Sequence, residues 1–235
     1  MTRTTATFEQ IEKFVFVVTY GRSGSTLIQR MLNTLPGACV RGENGNALRP
    51  LAMSWHAVHA APVLRRLSKR DTPTPVTSPW YGGETIDSQH YGRALAKLFT
   101  HEILTPPPNT RISGFKEIRW TREPADFFTT LNFARECFPN AFFIFNTRDH
   151  AQVVRSGWWA EHPEDKVRER LTRADTLFES YLAQHPACGV RVHYNDYLQD
   201  HDALRPIFSL LDEPFDPQAI SGVMSEKLTH LQKET

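Results

Sequence analysis

The stretch Phe14-Val15-Phe16-Val17-Val18-Thr19-Tyr20-Gly21-Arg22-Ser23-Gly24-Ser25-Thr26-Leu27-Ile28 decides the fold. Residues 14–19 are apolar or β-branched throughout, the pattern of a strand buried on both faces. A glycine-containing turn follows. Leu27, Ile28, Met31, Leu32 and Leu35 then recur at helical spacing until Pro36-Gly37 stops the helix. A strand that turns tightly into a helix N-terminus is a phosphate cradle, because free backbone N–H groups and the helix dipole point at the anion there. Gly21, Arg22, Ser23, Gly24, Ser25 and Thr26 are its candidate residues. The nucleotide-triphosphate loop would place a lysine where Ser25 stands, so the turn is read as serving a phosphate-bearing ligand other than ATP or GTP.

Outward from this unit, strand and helix patterns alternate. Residues 38–41 read as a short second strand leading into Gly42-Glu43-Asn44-Gly45-Asn46, and residues 70–83, rich in Pro, Thr and Gly, as a surface loop. Residues 91–104 look helical up to Pro106-Pro107-Pro108, and residues 111–115 form a candidate third strand opening onto Lys116-Glu117. Phe127, Phe128, Leu131 and Ala134 mark a helix before the strongly apolar strand 141–146. Val167, Leu171, Ala174, Phe178 and Tyr181 stripe a long charged helix. Residues 190–194 read as the last strand, and Leu204, Ile207, Phe208 and Leu211 as one face of a final helix. The alternation predicts an α/β fold: a doubly wound parallel sheet flanked by helices, P-loop nucleotide-kinase-like, in a single domain over residues 1–235. Ligands of such sheets bind at the C-terminal strand ends.

Composition sets the bounds. A chain of 235 residues buries about 70% of its unfolded surface and needs no disulfide or metal staple. Lys plus Arg number 27 against 26 Asp plus Glu, a net charge of +1, which argues against a nucleic-acid partner. Cys39, Cys137 and Cys188 lie far apart with no C-x-x-C pair, which suggests a reducing compartment and no metal site. The N-terminal residues 1–13 are polar, and the apolar run 14–18 is too short for a signal segment or a membrane span. A soluble, cytoplasmic protein without a transmembrane segment is expected, and a homo-oligomer is compatible with the sequence.

A second stretch, Phe142-Phe143-Ile144-Phe145-Asn146-Thr147-Arg148-Asp149-His150, ends a buried strand in an arginine, with Ser156 eight residues later on the next helix. Arginine offers a rigid fork for phosphate, and a hydroxyl can complete the cradle. Taken alone, an Arg–Asp pair at a strand end is more often solvated or capping. Together, 21–27 and Arg148 to Ser156 resemble the two cofactor signatures of the sulfotransferase family, which uses 3′-phosphoadenosine 5′-phosphosulfate (PAPS) and releases 3′-phosphoadenosine 5′-phosphate (PAP). The first signature of that family holds the 5′-phosphosulfate and the second the 3′-phosphate. Val192-His193-Tyr194-Asn195-Asp196-Tyr197-Leu198 is similar to its late strand-to-helix turn. Arg22 replaces the lysine of the best-known animal members, His150 stands where proline often follows Arg-Asp, and their Gly-x-x-Gly-x-x-Lys segment is missing. The chain looks more like the bacterial branch, whose acceptors range over glycans, lipids and small metabolites.

The resemblance implies an enzyme whose partners are a nucleotide co-substrate and a hydroxyl-bearing acceptor. Charge on the transferred group must be stabilised, and the acceptor must lose a proton to a base. Arg22 and the hydroxyls of Ser25 and Thr26 meet the first demand. Glu43, in its dense polar run, is the preferred base, with a plain Asn/Gly turn as the alternative. Lys116 is a candidate to assist the sulfonate, and Glu117 a second candidate base or an arginine partner. Other readings are a P-loop small-molecule kinase, or a non-catalytic nucleotide-binding protein of the same fold. His56 and His59 have helical spacing but no third ligand, His150 is a candidate nucleotide contact, and Trp158-Trp159 read as core aromatics. The acceptor pocket is expected from residues 49–89, with Trp55, Trp80 and Tyr81 on its walls.

Overall fold

The computed structural model describes residues 4–225; residues 1–3 of the polar N-terminal stretch and residues 226–235 lie outside them. Five strands, β1 (Lys13–Thr19), β2 (Ala38–Arg41), β3 (Ile112–Glu117), β4 (Ala141–Thr147) and β5 (Gly189–His193), form one sheet in the order β2-β3-β1-β4-β5. Every neighbouring pair is parallel. The central strand β1 aligns Val18 with Glu117 on one side and Thr19 with Asn146 on the other. The C-terminal ends of β1, β3 and β4 therefore open side by side, where a doubly wound sheet binds ligands.

Alternation along β1 divides the core between two faces. Phe14, Phe16 and Val18 point into an aromatic-rich layer with Phe115, Phe143 and Phe145. The Phe16 ring meets Phe115 and Phe143 at centroid distances of 5.5 and 5.6 Å. Helices α2 (Leu48–His59), α4 (Ser88–Phe99), α5 (Pro124–Cys137) and α7 (Glu164–Gln184) cover this face. Val15 and Val17 point the other way, with Ile112, Ile144 and Val192, under α1 (Ser25–Leu32), α9 (Arg205–Leu211) and α10 (Pro217–Ser225). Each fully buried Phe or Val contributes on the order of 1.5–3 kcal/mol from removed apolar area.

The strands lie where the sequence places them, with one shift that matters: Lys116 and Glu117 belong to β3 itself, and both are buried. Three readings are corrected. Ser156 is not on the helix after β4: that helix, α6 (His150–Val154), ends two residues earlier, and Ser156 opens a 3-10 turn at Gly157–Glu161. Helix α9 is not the last, since α10 follows and packs its Ile220 and Val223 into the core. Trp55 is not an open wall; it is 3% exposed, stacked on His59 and packed against Phe133. No helix among the described residues is long and apolar enough to cross a membrane.

Candidate active site

The cradle between β1 and α1 is held from below by a buried polar cluster. Thr19 Oγ1 lies 2.6 Å from Ser23 Oγ and 2.7 Å from the Asn146 carbonyl, while Asn146 Nδ2 donates to the Ser23 carbonyl at 2.9 Å. Tyr197 Oη completes the cluster by donating to Asn146 Oδ1 at 3.0 Å. Ser23 is thus consumed by the floor of the loop, with its hydroxyl fully buried. The loop backbone turns through left-handed conformations at Arg22 (φ 67°) and Gly24 (φ 83°). For a non-glycine residue such a turn costs on the order of 1–2 kcal/mol, so Arg22 must be held by its neighbours. Arg148 Nη1 donates to the Arg22 carbonyl at 3.0 Å, and Arg22 Nε donates to Ser156 Oγ at 3.0 Å.

Glycine is required at both loop positions for space. A Cβ on Gly24 would sit 2.0 Å from the Tyr194 ring, and one on Gly21 would sit 2.5 Å from Trp158. The loop therefore lies flat against two aromatic rings. Trp159 reinforces it by donating its indole N–H to the Gly21 carbonyl at 3.0 Å.

Arg148 is positioned on all sides. Its backbone N–H donates to Tyr20 Oη at 2.9 Å, and that hydroxyl donates back to the Arg148 carbonyl at 3.1 Å. Burial and the nearby Asp175 push the Tyr20 phenol well above its ordinary pKa, so it stays neutral and able to donate. The guanidinium lies 4.4 Å over the Tyr194 ring, and its Nε and Nη2 donate to Gln152 Oε1. His150 turns away from this arginine and pairs with Asp175 on α7 at 2.9 Å.

On the other side of the loop, Glu43 reaches across from the turn after β2. Lys116 Nζ donates to Glu43 Oε1 at 2.6 Å, and Arg119 Nη1 donates to Oε2 at 2.8 Å. Partial burial alone would raise the Glu43 pKa, but the bonds and charges of Lys116 and Arg119 outweigh it and hold the carboxyl below the ordinary glutamate value. Glu117 is engaged differently. It is fully buried and accepts from the backbone N–H groups of Asn44, Asn46, Ile118 and Arg119 and from Arg119 Nη1. Of the two roles expected for it, the structure displays the arginine pair, and it adds a third: Glu117 fastens the 43–46 turn to the end of β3.

A cavity of about 210 Å³ gathers these groups. Gly21, Arg22, Gly24, Ser25, Thr26, Glu43, Lys116 and Arg148 all line it, alongside Ile118, Trp158 and Tyr194. Ser23, Glu117 and Ser156 do not; they support residues that do. Three cations, a flat glycine loop and a single carboxylate make a receptor for a doubly anionic group with one proton-accepting atom beside it. The loop amides at the N-terminus of α1, with Arg22, Lys116 and Arg148 around the same cavity, fit a phosphate ester. A larger cleft of about 640 Å³ adjoins it, sharing Gly21, Ile118 and Trp158. Residues 49–89 line neither, and Trp80 and Tyr81 stand exposed on their loop. Two site residues escaped the sequence reading. Arg119 lacked any local signal beyond lying two residues after Glu117, whereas Tyr194 lay within the late turn already singled out. Trp158 was read as core, yet it is 43% exposed and walls both cavities.

The family model described as the sulfotransferase family matches residues 15–217. Among solved structures, the chain is similar to the sulfotransferase domain of an olefin synthase from Synechococcus PCC 7002, with TM-score 0.56, 15% identity and coverage of 92% of this chain and 78% of that one. It is also similar to a sulfotransferase domain from the curacin biosynthetic pathway (TM-score 0.49, 16% identity, 89% and 77% covered). A sulfotransferase from Mycobacterium avium follows (TM-score 0.48, 12% identity, 94% and 68% covered). No curated protein sequence matches the chain.

Proposed function

The chain belongs to the sulfotransferase family, a class that transfers sulfuryl groups, and from that premise we propose that it moves the sulfuryl group of PAPS to a hydroxyl or amine of a glycan, lipid or small metabolite, as a single domain. The observation that carries this reading is the convergence of Arg22, Lys116, Arg148 and Glu43 on one cavity beside the glycine loop. Arg148, braced by Tyr20 and Tyr194, and Ser156 are the proposed holders of the 3′-phosphate. Ser156 Oγ accepts from Arg22, which leaves its own proton to donate. The loop amides, Ser25 and Thr26 are the proposed holders of the 5′-phosphosulfate at the α1 N-terminus.

PAPS supplies the electrophilic sulfur. The acceptor oxygen forms a new O–S bond as the S–O bond to the 5′-phosphate breaks, PAP leaves with that electron pair, and the acceptor proton passes to Glu43. Arg22 and Lys116 face the space where charge grows on the sulfonate oxygens and the leaving phosphate. Lys116 and Arg119 keep Glu43 ionised and fixed in rotamer, so its carboxylate awaits the proton without reorganising. We assign Glu117 a positioning role, since its bonds to the 43–46 turn set where Glu43 stands.

Calorimetry with PAP, AMP and ATP, followed by an acceptor screen with labelled donor, tests the proposal. PAP is expected to bind more tightly than AMP by on the order of 2 kcal/mol for the charge-assisted 3′-phosphate contacts. Equal affinity for AMP removes Arg148 and Ser156 from the cofactor site. Magnesium-dependent ATP turnover in place of sulfuryl transfer identifies a kinase instead.

A further inference from the structure

The larger cleft carries a charge pattern that the transfer chemistry leaves unexplained. Four arginines, Arg119, Arg122, Arg170 and Arg173, line it against one carboxylate, Glu123. The whole chain is nearly neutral at +1, so this excess is local. Arg119 is satisfied by Glu43 and Glu117. Arg122, Arg170 and Arg173 make no ion pair among the described residues; Glu123, in the same cleft, is likewise unpaired and offsets one of the three charges, while most acids of α7 are engaged elsewhere. On α7, Glu164 pairs with Arg168, Glu169 with Lys166, Asp175 with His150 and Glu179 with Arg191. Arg170 and Arg173 lie three residues apart and so share one helix face.

An ordinary solvated helix face would interleave charges, as the rest of α7 does. Here the unpaired arginines face a concave wall that also holds Leu171 and Trp158. Three like charges in a cleft repel one another and raise the local potential, which favours an incoming anion. Arginine in particular offers the planar fork that matches a carboxylate or phosphate. The cleft is continuous with the transfer cavity at Gly21, Ile118 and Trp158, and Arg119 joins the two by holding Glu43.

We propose that this cleft takes an acceptor bearing a carboxylate or phosphate in addition to the hydroxyl that receives the sulfuryl group, with Arg122, Arg170 and Arg173 binding that anion. The proposal rests on the sulfotransfer reading, which supplies the hydroxyl and its base. An anionic acceptor held there by its far end runs past Trp158, which walls both cavities, and presents its hydroxyl toward Glu43.

The test uses the PAP-loaded full chain and three naphthyl glycosides: the neutral glucoside, its 6-carboxylate (the glucuronide) and its 6-phosphate. Calorimetry is expected to give at least one anionic probe an advantage of about tenfold or more over the glucoside, as for one or two charge-assisted contacts. The better anion of the pair tells carboxylate from phosphate. The double variant Arg170→Ala/Arg173→Ala, whose exposed helical positions tolerate alanine, should lose that advantage while its PAP affinity and melting temperature hold. Equal or tighter binding of the glucoside overturns the proposal, as does failure of both anions to bind PAP-loaded protein. An advantage that survives in the double variant overturns the assignment of the arginines. Failure to bind PAP at all instead overturns the sulfotransfer reading on which the proposal stands.

Discussion

Glu117→Gln separates the two carboxylates that the sequence could not tell apart. The substitution preserves volume but turns one oxygen into an NH₂ group. Both Glu117 oxygens accept from main-chain donors: Oε2 from Asn44 and Asn46, and Oε1 from Ile118, Arg119 and the Arg119 side chain. Whichever way the amide turns, its NH₂ faces at least two N–H donors in a site with no exposure. Each buried group left unsatisfied costs roughly 1–3 kcal/mol, and Arg119, still paired with Glu43, loses the charge of its second partner, for a total of about 3–5 kcal/mol. At roughly 2–4 °C per kcal/mol for a chain of this size, the melting temperature should drop by about 10 °C. Calorimetric melting of Glu117→Gln beside Glu43→Gln is the assay. Glu43→Gln, at a half-exposed turn, should shift melting by only about 1 kcal/mol. A Glu117→Gln protein that melts like wild type yet has lost turnover would refute the positioning role and make Glu117 the base.

Arg148→Ala is expected to weaken PAP binding by on the order of 2 kcal/mol, and Ser156→Ala by about half that, since a neutral hydroxyl bond is the weaker kind; wild-type PAP affinity in a folded Arg148→Ala protein, read by calorimetry, shows that the second motif was misread. Gly24→Ala places a methyl 2.0 Å from the Tyr194 ring at φ 83°, so a loss of about 2–4 kcal/mol in unfolding free energy is expected from strain and overpacking, and unchanged denaturant stability contradicts that geometry. Glu213, between Arg111 and Lys13, has its pKa lowered to about 2 from an ordinary 4.5, chiefly by the Arg111 hydrogen bonds. Because the folded pKa is the lower one, its stabilisation is full above about pH 4.5 and fades toward pH 2, up to about 3 kcal/mol in all. Urea midpoints across pH 2–6 should show that loss, with a shallower decline in Glu213→Gln; parallel curves leave the ion pair without effect.

The sequence made β1, the cradle and α1 legible because five consecutive apolar residues followed by β-branched Thr19, just before Gly21, admit one physical reading, a strand buried on both sides. Strand β4 and Arg148 followed for the same reason. Glu117 was not legible: a Lys-Glu pair after an apolar run looks like a solvated strand end. Its burial depends on the amides of Asn44 and Asn46, some seventy residues away in sequence, folding over it. Ser156 was found by spacing, yet its turn was not, since α6 closes early and Gly157 takes a left-handed φ of 57°. Trp55 read as a pocket wall because a tryptophan near loops invites that assignment, while its helix α2 in fact turns it onto Phe133. The arginines of α7 gave no sequence signal at all, being ordinary charges on a charged helix until the segment after β3 and the 3-10 turn bring the other wall of the cleft to them.

The central claim is that Glu43 takes the acceptor proton, and single-turnover transfer of labelled sulfuryl from PAPS by wild type and Glu43→Gln measures it most directly. Glutamine keeps the shape and cannot accept the proton, so transfer should slow by about 10²–10⁴-fold with PAP affinity nearly intact. The carboxyl is held below its ordinary pKa by Lys116 and Arg119, so the wild-type rate should stay flat through neutral pH and fall only in acid below that ordinary value, a decline the variant lacks. A Glu43→Gln enzyme that retains more than about a tenth of the wild-type rate contradicts the claim.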